Sequence, residues 1–151
     1  MTMIQSNPKI VPFLWFDNNI EEAVNFYTSV FKNSTVKSMN RNGDGPVMSA
    51  TFQLEGQDFY ALNGGPMFKF TEAISFFINC ETQEEVDEFW EKLSEGGQKS
   101  RCGWLKDKFG LSWQVVPVEY FDLINSDDPK VREKAMKNTF KQKKLILSEL
   151  K

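Results

Sequence analysis

From Ile10 onward the apolar side chains alternate between two periods, and each switch of period marks an element. Ile10-Val11-Pro12-Phe13-Leu14-Trp15-Phe16 is an unbroken apolar run that predicts a strand, with Pro12 limiting it to an edge or to a bulge near its start. Ile20, Ala23, Val24, Tyr27, Val30 and Phe31 then recur at helical spacing, preceded by Asn19 with Glu22 three residues on, the pattern of a capping box. A strand over Thr35 to Met39 and a polar loop over Asn40 to Pro46 follow. Val47 to Leu54 and Gln57 to Asn63 predict a hairpin about Glu55-Gly56, pairing Phe52 with Phe59 and Thr51 with Tyr60. One of its faces is apolar (Met48, Ala50, Phe52, Leu54) and the other mixed (Ser49, Thr51, Gln53). Residues 1–8 read as a frayed lead-in, and Gly64 to Phe70 as a connector.

The pattern then starts again. Ala73 to Asn79 predicts a strand, and Thr82 with Glu85 is a second capping box. Val86, Phe89, Trp90 and Leu93 form a second helical stripe, stopped by Gly96-Gly97. A short strand around Gln98 to Arg101 leads into a hairpin that runs from Cys102 to Pro117. Its turn is Asp107-Lys108-Phe109-Gly110, where Asp suits the first position and Gly the left-handed one. That turn opposes Lys106 to Ser112, Leu105 to Trp113 and Trp104 to Gln114. Leu105, Trp113 and Val115 make an apolar face that belongs in a core. The other face, Trp104, Lys106, Ser112 and Gln114, mixes polar groups with an aromatic wall, and is either solvated or the lining of a cleft. A shift of 63 residues superposes Glu21-Glu22 on Glu84-Glu85 and Phe26-Tyr27 on Phe89-Trp90, which predicts a duplicated strand–helix–three-strand module.

The tail differs in kind. Tyr120, Phe121, Leu123 and Ile124 predict a short apolar turn or helix, and Asp128-Pro129 an N-cap with Pro at the first helical position. Val131, Ala135, Met136 and Phe140 line one helical face, which Leu145, Ile146 and Leu150 extend. The tail is expected to pack across the domain or onto a second subunit.

Composition narrows the function. With 151 residues the chain is long enough for one compact domain or two small modules sharing a core. Fourteen Phe, 4 Trp and 3 Tyr exceed what such a core needs and leave rings for a ligand-facing wall. The net charge of −3, without a basic stripe, argues against nucleic acid. No apolar run is long enough to span a bilayer, and no signal-peptide pattern opens the chain. Two cysteines are too few for a disulfide framework, so a reduced, cytoplasmic setting is expected. The zero count of histidine excludes Ser-His-Asp and Cys-His mechanisms within this chain, and removes the commonest metal ligand.

Two such modules, the second ending in an Asp-x-x-Gly-x-x-x-Gln hairpin, resemble the vicinal oxygen chelate superfamily of glyoxalases, extradiol dioxygenases and fosfomycin- and bleomycin-resistance proteins. The nearer resemblance is to its PhnB-like branch, often labelled a demethylubiquinone methyltransferase domain. It is carried by Phe16-Asp17-Asn18-Asn19, Glu22-Ala23, Phe26-Tyr27, Ala61 to Pro66, Phe70 to Phe76 and Cys102 to Pro117. The resemblance implies an α+β fold: one glyoxalase-like domain with modules at about 9–64 and 72–117, a curved mixed sheet around a cleft, helices outside, and a helical extension over 118–151. It also implies ligand positions on the first strand of each module and on the last strand. Here they fall at Ile10 or Pro12, at Ala73, at Leu62 or Asn63, and at Gln114, where only Gln114 offers a donor. No metal and no cofactor are therefore expected.

The same alignment implies a cleft lined by Leu14, Phe16, Thr51, Tyr60, Ser75, Phe77, Trp104, Lys106, Ser112 and Gln114. The expected activity is binding of a small, partly aromatic organic ligand by a homodimer. The alternative is an enzyme, a lyase, isomerase or group transferase, using the same cleft with Lys106, Glu72 or Glu81 for proton transfer. Cys80 and Cys102 are expected to be inert and Asp107 only to close its turn. No Gly-rich turn leads from a strand into a helix, which argues against the methyltransferase label.

Overall fold

A computed structural model describes residues 7–151; the first six residues of the expected lead-in lie outside the described residues. The chain divides at Lys69/Phe70 into two compact units.

The first unit contains β1 (Phe13–Phe16), α1 (Ile20–Val30), β2 (Ser34–Arg41), β3 (Val47–Leu54) and β4 (Gln57–Asn63). Its sheet runs β1-β4-β3-β2, with β1 parallel to β4 and the other pairs antiparallel. The expected pairs Phe52–Phe59 and Thr51–Tyr60 are present. Ile20, Ala23, Val24, Tyr27 and Val30 are the buried stripe of α1, and Ala50, Phe52, Leu54, Phe59 and Ala61 are buried on the sheet. Tyr27 stacks on Phe52 at 6.2 Å and Phe52 on Phe59 at 5.2 Å, so one aromatic column ties helix to sheet. Met48, assigned to the apolar face, is exposed. A register shift beside Arg41 brings Val47 into the core instead.

The first capping box does not form. Asn19 makes no side-chain cap, and the free amide of Ile20 donates instead to Oδ1 of Asn63 at 3.0 Å. Asn63 stands opposite Phe16 at the end of the parallel ladder, and Phe16 is four residues before Ile20, where α1 begins. Its Nδ2 donates to the Val47 carbonyl at 2.9 Å, so one side chain joins β3, β4 and the helix start.

The second unit repeats this plan with β5 (Ser75–Cys80), α2 (Gln83–Ser94), β6 (Gln98–Lys99), β7 (Trp104–Lys106) and β8 (Ser112–Pro117), in the order β5-β8-β7-β6. Both sheets thus place their first strand parallel to their last, the signature of the predicted repeat. Here the capping box is made: Thr82 Oγ1 accepts from the Glu85 amide at 3.1 Å, while the Glu85 carboxylate accepts from the Glu81 amide at 2.7 Å. Val86, Trp90 and Leu93 are buried, as are Ile78, Cys80, Leu105, Trp113 and Val115. Burial pushes the Cys80 thiol up to about 12, with the Glu85 carboxylate adding to the effect, and leaves it without thiolate character near neutrality.

The tail forms α3 (Glu119–Ile124) and α4 (Pro129–Thr139), the latter capped by Asp128, whose carboxylate accepts from the Lys130 amide at 2.9 Å. The helical face does not continue to Leu150. The carbonyls of Gln142, Lys143 and Leu145 accept from Cys102, Gly103 and the Gln83 side chain, at 2.9, 2.8 and 2.9 Å, rather than from residues four places on. Leu145 and Leu150 are buried nonetheless, and a 3-10 turn at Leu147–Glu149 ends the chain. The tail therefore packs on its own module, beside α2 and the loop before β7. Among the described residues no helix is long and apolar enough to cross a membrane.

Candidate functional site

The hairpin β7–β8 has the register expected from its turn: Trp104 opposes Gln114, Leu105 opposes Trp113 and Lys106 opposes Ser112. Adding the parallel partner β5 and the edge strand β6 gives two rows across the open face of this sheet. One runs Ser75, Ser112, Lys106, Gln98; the next runs Phe77, Gln114, Trp104. The helix-covered side takes Ile78, Leu105, Trp113 and Val115. Strand alternation forces this division, since neighbours along a strand point to opposite faces.

The turn is held by more than its backbone. Asp107 is 2 % exposed. Its Oδ1 accepts from the amides of Phe109 and Leu111 at 2.9 and 3.1 Å, and its Oδ2 accepts from Trp113 Nε1 at 2.9 Å. The carboxylate thus ties the turn to the core indole, a larger role than closing the turn.

A concavity of about 750 Å³ opens on this unit, lined by Glu72, Arg101, Trp104, Lys106 and Ser112 among others. Three of the expected site residues, Trp104, Lys106 and Ser112, meet there. Gln114 and Ser75 lie beside them on the same face, where the Gln114 amide donates to Ser75 Oγ at 2.9 Å. Phe77 is exposed in the second row and packs against Phe121 of α3 at 5.8 Å. Lys106 forms an ion pair with Glu72, and that ammonium, by hydrogen bond, holds the Glu72 carboxyl below the usual carboxylate range.

Ser112 is the anomaly of the site. Its side chain is fully buried, and its Oγ is the one buried side-chain polar atom among the described residues with no hydrogen-bond partner. Such an atom normally finds a donor or acceptor, and this one lies on the wall of a cavity. Removing it tests what it is for. Ser112→Ala is expected to leave folding stability unchanged or to raise it by up to about 1 kcal/mol in urea denaturation, because no protein bond is lost. A drop larger than that would show the hydroxyl to be part of the sheet's own framework.

The first-module residues are arranged differently from the expectation. Leu14 and Phe16 are buried on the helix-covered face, opposite Ala61 and Asn63, whereas Phe13 and Trp15 share the open face with Tyr60 and Leu62. Phe13 meets Tyr60 edge to face at 6.2 Å, and Trp15 Nε1 donates to the Gly65 carbonyl at 2.9 Å beneath Phe68. Leu14 and Phe16, expected to line the cleft, are thus core residues, and Trp15 lies on the open face. Thr51 does lie on that face, but its hydroxyl is bonded to Ser38 Oγ at 2.7 Å. The sequence reading missed Arg101 and gave Glu72 only an acid–base role. The signal available was weak: Arg101 lies just beyond a two-residue edge strand, too short to show a period.

A metal fits this site poorly. Among the described residues no three Cys, Asp or Glu side chains converge, and Gln114, the donor expected on the last strand, is bonded to a serine hydroxyl. Divalent ions in such sites take at least three protein ligands, mostly imidazole and carboxylate.

The comparisons agree with this architecture. A family model described as 3-demethylubiquinone-9 3-methyltransferase matches residues 8–116. A PhnB protein from Bacillus cereus that carries the same label is 38 % identical, with a TM-score of 0.69, over 73 % of this chain and 99 % of its own. A protein from Pseudomonas aeruginosa, 23 % identical, has a TM-score of 0.63 over 74 % of this chain and 98 % of its own. The fosfomycin resistance protein FosX from Listeria monocytogenes, solved with Mn(II) and sulfate, shares the fold at 17 % identity and a TM-score of 0.51, over 74 % of this chain and 90 % of its own. No curated protein matches the chain. The repeated four-stranded plan, the hairpin from Cys102 to Pro117 and the match over both modules lead to one conclusion: the chain belongs to the PhnB-like family that carries the 3-demethylubiquinone-9 3-methyltransferase label.

Proposed function

We propose that the protein binds a small, partly aromatic organic ligand on the open face of its second sheet, without a metal. The observation that carries this reading is the unpartnered, fully buried Ser112 hydroxyl on the wall of a cavity whose other walls are Trp104 and Lys106. A half-buried indole offers stacking area, while Ser112, Lys106 and Gln114 supply a few directed polar groups, the mixture that small-molecule sites use. Among the described residues no group of three Cys, Asp or Glu side chains could hold an ion, which supports a metal-independent mode. Phe77 and Ser75 extend the same face, and Thr51 and Tyr60 lie on the open face of the first sheet.

The enzyme reading has less support. Glu72, its main candidate acid, is held ionised by Lys106, the wrong direction for a general acid at neutral pH. Against methyl transfer weighs the glycine-containing loop at Gly43–Gly45, which leads into strand β3 and not into a helix N-terminus. A cytoplasmic homodimer completes the reading, and size-exclusion chromatography is expected to return twice the chain mass.

The test is a tryptophan-fluorescence titration with 2-naphthoate, before and after exhaustive chelation, on wild type and Trp104→Ala. Binding is expected to survive chelation and to weaken at least tenfold in the variant, matching the loss of one stacking wall worth about 1.5 kcal/mol. Binding that vanishes on chelation, or that ignores Trp104, would overturn the proposal.

A further inference from the structure

The charge around the Ser112 cavity is lopsided. Lys99, Arg101 and Lys106 line it against a single acid, Glu72, in a chain whose net charge is −3. Lys99 is engaged by Glu91 at 3.2 Å on the helix side. Lys106 is engaged by Glu72. Arg101, exposed at the rim, has no ion pair among the described residues. Ser112 stands directly across the ladder from Lys106, so a hydroxyl with no partner and an ammonium are neighbours on one face. An unpartnered hydroxyl beside one cation, with a second cation at the rim of the same cavity, is a donor in search of an acceptor, and the acceptor that completes the set is an oxyanion.

Resting on the binding role proposed above, we infer that the site selects an organic acid: a flat apolar body against Trp104 with its carboxylate between Lys106, Ser112 and Arg101. Glu72 then has a specific part. It belongs to the connector before β5, is more than half exposed, and already occupies the ammonium that the incoming carboxylate needs. Glu72 is a resident competitor, displaced on binding, and it sets the affinity for acids without touching the ligand. The displacement is an exchange of one carboxylate for another at Lys106, so the pair's Coulomb energy is largely conserved while Glu72 returns to water.

The geometry predicts opposite signs for two substitutions at one ion pair. The probes are 2-naphthoate and its uncharged amide, 2-naphthamide, titrated by tryptophan fluorescence at low salt, with thermal melts confirming that each variant is folded. Wild type is expected to bind the acid at least tenfold tighter than the amide. Lys106→Met, which keeps the aliphatic stem, is expected to erase that preference, and Glu72→Gln to raise affinity for the acid severalfold with the amide unchanged. If acid and amide bind equally, or if Glu72→Gln weakens the acid, the acid-selective site is wrong while the ligand-binding role stands. If neither probe binds, both fall.

Discussion

Replacing Asp107 with alanine is expected to cost about 3–5 kcal/mol, a large fraction of what a domain of this size has. Its buried carboxylate accepts from two turn amides and from the Trp113 indole, and alanine leaves these three donors in the interior with that acceptor gone. Water reaches the turn amides more readily than the indole, since Trp113 is 3 % exposed, so the tryptophan carries much of the penalty. Asp107→Asn separates the parts. Its amide oxygen can still serve Phe109 and Leu111, but its NH₂ would face the indole N–H, donor against donor. Urea denaturation followed by tryptophan fluorescence is expected to rank wild type above Asn above Ala. An alanine variant within about 1 kcal/mol of wild type would refute the account of the turn.

Gly103→Val is expected to do comparable damage by a different route. Gly103 lies at φ +83°, following Cys102 at +59°, so the chain passes through two left-handed residues just before β7. A side chain in that region costs about 1–2 kcal/mol, and more for a β-branched one. A Cβ there would also stand 2.9 Å from the Val115 carbonyl oxygen and 3.2 Å from Leu145. Overpacking of that kind adds about 1–3 kcal/mol. The Gly103 amide donates to the Lys143 carbonyl, so the strain falls on the seam where the tail docks. The expected signature is therefore local as well as global: faster hydrogen exchange at the Leu147 amide, which is bonded to Gln83, and new tryptic cleavage around Lys143 and Lys144. Gly103→Ala should show the same pattern at roughly half the size, without β-branching. A valine variant with wild-type midpoint and exchange would show that the loop has room the contacts deny.

Much of the fold was legible because its cues are local. The turn Asp107 to Gly110 determines the register of β7 and β8, and with it the open face on which Trp104, Lys106, Ser112 and Gln114 sit. Thr82 and Glu85 form their capping box from residues three apart in the chain. The doubling of the module was visible in helical stripes and paired aromatics, and both sheets bear it out.

The failures share a cause. Phe13-Leu14-Trp15-Phe16 is apolar at every position, so alternation cannot say which pair faces the helix. Only the parallel register with β4 decides it, sending Leu14 and Phe16 inward and leaving Phe13 and Trp15 beside Tyr60 and Leu62. Asn19 looked like a cap, but Asn63, delivered by that same pairing, takes the Ile20 amide instead. Leu145 and Ile146 continued a helical period, yet their segment answers to carbonyl acceptors needed by Cys102, Gly103 and Gln83.

By itself, then, the sequence determined the modules, the second hairpin and its mixed face, since turn chemistry and periodicity act within a few residues. Tertiary structure alone decided which side of β1 is core, what caps α1, where the tail returns, and that Ser112 is left without a partner beside Lys106. Each of these depends on a pairing between residues far apart in the chain, where no local preference can choose the partner.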